Sequence, residues 1–380
     1  MSDAKVALGR RLFYDTRLAG NGTLACAGCH QQAHGFTDGR AHAIGSTGAS
    51  HPRSAMALAN VAYNASFGWA DGRTRTLEAQ IEVPMFNEHP VELGLKGREA
   101  EIVQRFAAEP HDAASFRDAF PGDAPPIRFD HIVKALATFE RTLISGDSPL
   151  DRYLYQDDKS GMSPAALRGM SLFFSDGLGC SKCHGGFNFS GPVKYVGSTL
   201  SQEPTFHNTA LYNVDGRGGY PAADRGVWDV THAPADMGRF RAPTLRNVAL
   251  TAPYMHDGSV PTLEAAIAHY ARAGVASPLR SPLIAGFAVT AAEVADLIAF
   301  LNALTDRAFV ENPRLGAPGV AGSAFLTRSR GPTIAGLRPP SPPGERRWRS
   351  ETSLSRSTRP EPPPRRVTPA AARLPRASGR

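Results

Sequence analysis

Cysteine is scarce in this chain, with four residues in 380. All four sit in two pentapeptides, which leaves none for a separate disulfide framework. No run of about 20 apolar residues occurs, so no segment reads as a membrane-spanning helix. Strand-like alternation is sparse, which points away from an all-β fold. Positive charge is missing where a nucleic-acid partner would need it. The formal net charge is +7, but residues 313–380 carry 14 Arg against 3 Glu, a net of +11. Residues 1–312 hold 28 Lys and Arg against 32 Asp and Glu, a net of −4, and this mildly acidic body suggests no nucleic acid.

What is there begins with Cys26-Ala27-Gly28-Cys29-His30, which returns as Cys180-Ser181-Lys182-Cys183-His184. The pattern C-x-x-C-H is the attachment site of a c-type haem. Two thiols add across the two vinyl groups of the porphyrin, and the adjacent His becomes the proximal iron ligand. A four-Cys zinc site or a pair of disulfides would need the two pairs, about 150 residues apart, to meet in space. Neither explains a His directly after each pair. Two covalent haems c are therefore expected, on Cys26, Cys29 and His30 and on Cys180, Cys183 and His184. Such attachment takes place on the far side of the bacterial membrane, so a periplasmic location and an export signal are expected. The chain opens instead at Met1-Ser2-Asp3-Ala4-Lys5, already at a helix start, with Ser2 as N-cap and Leu8, Leu12 and Phe13 apolar. Met1 reads as an internal start, with the signal peptide missing upstream.

A longer unit is used twice. Leu12-Phe13-Tyr14-Asp15 precedes the first motif and Leu172-Phe173-Phe174-Ser175-Asp176 the second, after a helix capped by Ser163 with Pro164 in its first turn. Asn60-Val61-Ala62 leads to Asp71-Gly72 and Thr76-Leu77-Glu78. Asn247-Val248-Ala249 leads to Asp257-Gly258 and Thr262-Leu263-Glu264. This reads as a duplicated haem-binding unit. Its register sets Pro84 against Tyr270. If that position faces the iron, Tyr270 closes one haem with a phenolic oxygen and Pro84, lacking a side-chain donor, leaves the other open. An amphipathic core tyrosine is the bland alternative, and His269, Met255 and His256 are rival ligands. Asp130 is placed to cap a helix through Ile132, Val133, Leu136, Phe139 and Leu143. Thr290 and Glu293 form a capping box before Val294, Leu297, Ile298 and Leu301. Residues 186–232, rich in Gly, Pro, Asn and Asp, read as long loops.

The expected fold is mainly α: two tandem cytochrome c-like haem domains with long loops and a disordered C-terminal tail. The domains are residues 1–150, 151–312 and the tail 313–380. The tail contains no Asp, Lys, His, Tyr, Met or Cys, and no apolar period survives in it. A shifted reading frame in GC-rich DNA or a disordered appendage accounts for it better than a nucleic-acid or membrane anchor.

Residues 1–312 resemble the bacterial di-haem cytochrome c peroxidases, and more closely their MauG-like branch. The resemblance rests on the two haem motifs, on the segment Asn247 to Gly258, and on Tyr270, where the peroxidases normally have Met. The stretches Pro84 to Gly94 and Phe206 to Asn213 are similar to the MbnH-type enzymes. The resemblance implies that peroxide reacts at the open haem. High-valent iron then oxidises a residue, a tryptophan in the MbnH type, of a partner protein. The alternative is a peroxide-scavenging enzyme reduced by a small cytochrome or cupredoxin; a non-enzymatic di-haem carrier is a third reading, opposed by Pro84. It further implies that His30 serves a high-spin, peroxidatic haem and that His184 and Tyr270 serve a low-spin, electron-transfer haem. Trp69 relays electrons between them, and Gln80, Pro84 and Glu92 line the open pocket. Glu92 would move the proton that cleavage of an O–O bond requires, with His51 the other candidate for that task. One calcium ion is implied, with Asn60 and the carbonyls of Thr251 and Pro253 as oxygen ligands. Two features depart from MauG: Leu178 stands where it has a surface Trp, and the helix joining Pro84 to Glu92 is two residues longer.

Overall fold

The computed structural model describes residues 1–195 and 203–319. Among these, the chain is mainly helical. In order, the helices are α1 (Asp3–Phe13), α2 (Cys26–Cys29), α3 (Leu77–Phe86), α4 (Glu99–Ala107), α5 (Pro110–Ala119) and α6 (Phe129–Glu140). They continue with α7 (Pro149–Tyr155), α8 (Pro164–Phe173), α9 (Trp228–Thr231), α10 (Leu263–Ala271), α11 (Ala291–Asn302) and α12 (Arg307–Val310). Two short strands, β1 (Phe206–Asn208) and β2 (Arg239–Arg241), pair antiparallel with Phe206 opposite Arg241. No described helix is long and apolar enough to cross a membrane.

Local chemistry sets the helix starts. Ser2 and Ser163 accept hydrogen bonds from Lys5 N and Ala166 N, each supplying a partner for an orphan amide of the first turn. Thr290 and Glu293 form the expected capping box, with Glu293 Oε2 2.8 Å from Thr290 N. Asp130 does not cap α6. Arg128 holds the cap position without a side-chain bond, and Asp130 lies in the first turn, paired with Arg128 and Lys134. The stretch from Pro84 to Glu92 is not one helix either. α3 stops at Phe86, and the chain turns back so that Leu93 N and Leu95 N donate to Pro84 O and Met85 O at 2.9 and 2.8 Å.

The duplication is deeper than the motifs. α1 crosses α6, and α8 crosses α11, each at a glycine. A Cβ built on Gly9 would lie 1.9 Å from Ala135 O, and one built on Gly169 would lie 1.9 Å from Asp296 O. The aromatic packing repeats as well, with Phe13 5.2 Å from Phe139 and Phe173 5.1 Å from Phe300, ring centre to ring centre. Two apolar clusters form on these crossings, one around Leu12, Phe13, Leu136 and Phe139, the other around Met170, Phe173, Leu297 and Phe300. Asn60 and Asn247 occupy matching left-handed positions (φ 60° and 61°), which asparagine tolerates better than most residues. Each donates its backbone N–H to the turn after a crossing helix: Asn60 to Leu143 O and Asn247 to Leu304 O. Ser145 and Asp306 complete this joint, with Ser145 Oγ donating to Asp306 Oδ2.

Pro313 to Gly319, placed with the tail on composition, pack on the first cluster. Leu315 is buried, Tyr14 Oη donates to Leu315 O at 2.8 Å, and Arg10 bonds the carbonyls of Pro313 and Gly316. The rest of the expected tail, 320–380, lies outside the described residues.

One buried ion pair ties α7 to the second cluster. Arg246 Nη1 and Nη2 reach Asp151 at 2.8 and 3.0 Å, and both side chains are buried. Replacing Arg246 by Met would strand the Asp151 carboxylate, because the remaining donors from Ser148 cannot neutralise it. The expected loss is about 3–5 kcal/mol, read from the denaturant midpoint. A loss near zero would show that water reaches the carboxylate.

Candidate functional site

Each C-x-x-C-H segment winds as one tight turn. His30 N donates to Cys26 O and His184 N to Cys180 O, both at 3.0 Å. Residues three apart on such a turn share a face, which sets both thiols of a pair side by side. None of the four is in a disulfide, and burial pushes the Cys29 and Cys180 thiols up to about 11. Two residues in the left-handed region, Phe36 (φ 65°) and Phe189 (φ 51°), turn their carbonyls onto the histidines. His30 Nδ1 lies 3.0 Å from Phe36 O and His184 Nδ1 2.9 Å from Phe189 O. A carbonyl only accepts, so each Nδ1 carries the proton and each Nε2 keeps a lone pair for a metal. Burial also lowers both imidazole pKa values, which favours the neutral, ligating form.

The second motif opens onto a cavity of about 300 Å3. Cys180, Cys183 and His184 form one wall and Tyr270, Met255 and His256 stand among the others. Thr262 caps α10 through Ala265 N and Thr76 caps α3 through Ala79 N, so the two helices start alike. Eight residues on from each cap lie Tyr270 and Pro84. Burial pushes the Tyr270 phenol well up, and its oxygen lies 4.0 Å from Met255 Sδ. Of the rival ligands, His269 is turned away, with Nε2 2.9 Å from Thr209 O. His256 lines the cavity but stacks on Phe240 at 3.7 Å.

The fit of this cavity to a haem has a direct test. Arg241 is the one described residue with a buried polar side-chain atom lacking a partner, its Nε. Its Nη1 donates to Ser66 O, Nη2 lies 3.7 Å from Met56 Sδ, and no carboxylate of the described residues faces it. Burial lowers its pKa to about 10. A buried guanidinium on a cavity wall calls for an anion, and the propionates of a haem are such anions. Thiols, imidazole, phenol and a guanidinium whose Nε lacks a partner together fit the group.

The first motif has its own neighbours. Cys29 Sγ lies 3.9 Å from Ile44 O, and a Cβ built on the next residue, Gly45, would lie 3.1 Å from Glu92 Cα, which sets Glu92 near that motif. Its Oε1 lies 3.9 Å from His51 Nε2 and 3.5 Å from Asn87 Nδ2. His51 and Glu92, weighed as alternatives from sequence, thus face each other. The loop that carries His51 is strapped to this strand by Ser46 N donating to Glu92 O at 2.8 Å, and Gly45 permits the approach. Burial raises the Glu92 carboxyl and lowers the His51 imidazole. Gln80 and Pro84 share the α3 face one turn apart, and Gln80 Oε1 passes over Gly68, next to Trp69. Trp69 lines the second cavity, its Nε1 donating to Ser54 O at 3.0 Å. Leu178 packs on the second cluster.

Among the residues expected around calcium, Asn60 is buried. Its carboxamide donates to Ser145 O at 2.8 Å and accepts from Ser145 N at 2.9 Å, so it serves the joint between the two halves. Thr251 and Pro253 lie on the cavity wall. Sequence reasoning passed over Arg241 and Glu140. Glu140 is buried at the end of α6, and burial pushes it up to about 8. By the helix repeat it stands where the second half has Leu301, which lines the cavity.

Comparison with known proteins agrees with this geometry. The family model for di-haem cytochrome c peroxidase matches residues 3–159, and one for RoxA-like cytochrome c domains matches residues 239–275. The methylamine utilization protein MauG of Methylorubrum extorquens is 35% identical over 306 residues, covering 80% of this chain and 79% of the relative. The cytochrome c551 peroxidase of Pseudomonas aeruginosa is 33% identical over 327 residues, covering 86% and 85%. The crystal structure of a MauG-like protein associated with microbial copper homeostasis matches with a TM-score of 0.81 at 44% identity. That match covers 84% of this chain and 94% of the other. Two attachment turns on two repeated helix crossings, together with relatives that align over most of the chain, place it in the di-haem cytochrome c peroxidase and MauG family of oxidoreductases.

Proposed function

We propose that the protein uses hydrogen peroxide at an open first haem and passes oxidising equivalents to a residue of a partner protein, in the manner of MauG and MbnH. The observation that carries this reading is the unequal pair at one helix position: Tyr270 faces the cavity of His184, and Pro84 stands at the equal place in α3. Residues 1–150 and 151–312 are then the peroxidatic and electron-transfer units, and Trp69 lies on the route between them. Attachment through thioethers supports a periplasmic location. Asn60 and the carbonyls of Thr251 and Pro253 are the groups through which a calcium ion enters the proposal.

A haem held by His30 supplies the peroxide chemistry, and the residues around it manage protons. Cleaving an O–O bond requires one proton to move from the inner to the outer oxygen. Glu92 Oε1 and His51 Nε2 form an acid–base pair for that transfer, close enough to share a water. Glu92→Gln removes the basic oxygen and keeps the shape. We expect peroxide consumption to slow about 100- to 10,000-fold, with the resting spectrum of the second haem unchanged. Glu92 works as a base only when ionised. Since its pKa is raised above the ordinary 4.5, activity should fall as pH drops through that raised value. Gln should abolish this acid limb. Stopped-flow rates over a pH series test it, and an unaltered limb in Glu92→Gln would assign the proton transfer to His51.

A second reading has its own observation. Met255 Sδ shares the Tyr270 side of the cavity, and ligation by this thioether fits a scavenging peroxidase fed by a small redox protein. Steady turnover of peroxide with a reduced small c-type cytochrome distinguishes the two. The proposal expects little turnover and a long-lived oxidised protein; rapid turnover would overturn it in favour of scavenging.

A further inference from the structure

Oxidising equivalents that act on a partner protein must reach the surface, and Leu178 cannot carry them. A third cluster offers another way out. Tyr220, Phe240, Val227 and Ala70 are buried there, with Trp69 and Tyr212 packed against them. Trp69 and Phe240 line the cavity. The Tyr220 ring lies 6.0 Å from Phe240 and 5.5 Å from Tyr212. Tyr212 is half-buried and leads into the loop 213–219, where Val214 is 63% exposed.

The two phenols differ in what receives their protons. Tyr220 Oη donates to the carboxamide oxygen of Asn208 at 3.0 Å. Tyr212 Oη donates to Asp257 Oδ2. A phenol that loses an electron becomes a strong acid and keeps the vacancy only if its proton has somewhere to go. An amide oxygen is too weak a base for this; a carboxylate is suitable.

We propose that Tyr212 is the surface terminus of an electron-hole relay running from the second cavity through Trp69 and Tyr220, with Asp257 as its proton acceptor. This rests on the peroxide reading above. In each transit one electron moves inward from Tyr212, its proton passes to the Asp257 carboxylate, and a neutral tyrosyl radical remains beside Val214. Reducing one peroxide to two waters takes two electrons and two protons, so two transits balance one peroxide, and the two protons come from solvent or from the partner residue as it is oxidised. The radical is quenched by one electron from the partner residue, and Asp257 returns the proton.

Further facts suit this role. Burial, then the hydrogen bond to Asp257, pushes the Tyr212 phenol up to about 12. Burial raises the Asp257 carboxyl, but bonds from Tyr212 and Ser259 outweigh it and hold it below its ordinary value. The proton therefore rests on Tyr212 until an electron leaves. Trp228, which follows Val227 in the chain, is a poor terminus, because the Arg225 guanidinium lies 4.0 Å over its ring and repels a positive vacancy.

Freeze-quench electron paramagnetic resonance of the peroxide-treated holoprotein tests the relay. A tyrosyl signal is expected that narrows with ring-deuterated tyrosine. It should lose most of its amplitude in Tyr212→Phe and in Asp257→Asn, appear more slowly in Tyr220→Phe, and persist in Trp228→Phe. Haem content should be unchanged throughout. A signal untouched by Tyr212→Phe, or one that narrows only with deuterated tryptophan, overturns the proposal. The same variants are also oxidised by a flash-generated ruthenium(III) tris-bipyridine, without peroxide. A Tyr212-dependent signal in that arm alone upholds the relay and sinks the peroxide reading. Absence of a Tyr212-dependent signal in both arms sinks the relay.

Discussion

Replacing Tyr270 by Phe is expected to leave both haems attached and to remove the low-spin signature of the second. Attachment depends on Cys180 and Cys183, which the change does not touch, and the ring still fills its place on α10. Only the oxygen is lost from a cavity wall that faces His184. On the proposed reading the Tyr270 oxygen would bring negative charge to the metal, and its removal should destabilise the two-electron-oxidised form most. We expect the lifetime of that form to shorten about tenfold or more, equal to about 1.4 kcal/mol in the barrier. Resting resonance spectra and the decay of the peroxide-treated protein measure the two effects. Met255 provides the control, since its sulfur lies 4.0 Å from the same oxygen. Should Tyr270→Phe keep the wild-type low-spin spectrum while Met255→Leu abolishes it, the thioether is the ligand. The scavenging reading would then replace the partner-oxidising one. His269 needs no such control, because a backbone carbonyl already holds its Nε2.

The features legible in sequence are those written in short spacings. Two C-x-x-C-H turns, the Thr262 and Thr76 caps, and the eight-residue step to Tyr270 and Pro84 are all local, so one turn of chain chemistry decides them. The capping box at Thr290 is equally local. Contacts between distant segments were not legible. His51 and Glu92 are 41 positions apart, and only the strap at Ser46 and the tight turn at Gly45 bring them together. Asn60 looked like a cation ligand because its type suits a hard ion. Its bonds with Ser145, 85 positions away, carried no signal in the sequence. Asp130 looked like a cap from its place before an apolar stripe, but the helix starts two residues earlier than such a cap would place it, at Phe129, and the carboxylate prefers Arg128 and Lys134. Arg241 carried no sequence signal beyond its position before the second Asn-Val-Ala, because an unpaired guanidinium is a property of the cavity and not of the chain.

The helix crossings supply the other large effect. Gly9-Arg10-Arg11-Leu12-Phe13 and Gly169-Met170-Ser171-Leu172-Phe173 share a Gly-x-x-Leu-Phe pattern that extends the repeat four residues upstream of the aromatic position. Both glycines lie inside helices, where Ala would be favoured by about 0.5–1 kcal/mol. Propensity alone therefore makes Gly169→Ala stabilising. The crossing says the opposite. A Cβ there would stand 1.9 Å from Asp296 O, 2.5 Å from Asp296 C and 2.9 Å from Phe300 Cβ. Two of these are backbone atoms of α11, so no rotamer change relieves the clash and the helices must part. Such overpacking costs about 1–3 kcal/mol or more, which exceeds the propensity gain, and Val should cost more than Ala. Parting α8 from α11 also pulls Phe173 from Phe300 and Phe189, and Phe189 O is the group that orients His184. Gly169→Val should thus lower the denaturation midpoint and perturb the second haem selectively, while Gly9→Val, against Ala135 O, should do the same to the first. Denaturant titration with site-resolved resonance spectra separates them. An increase in stability for Gly9→Ala or Gly169→Ala would mean that the helices are farther apart than this, and that the mirrored crossings do not hold the two histidines.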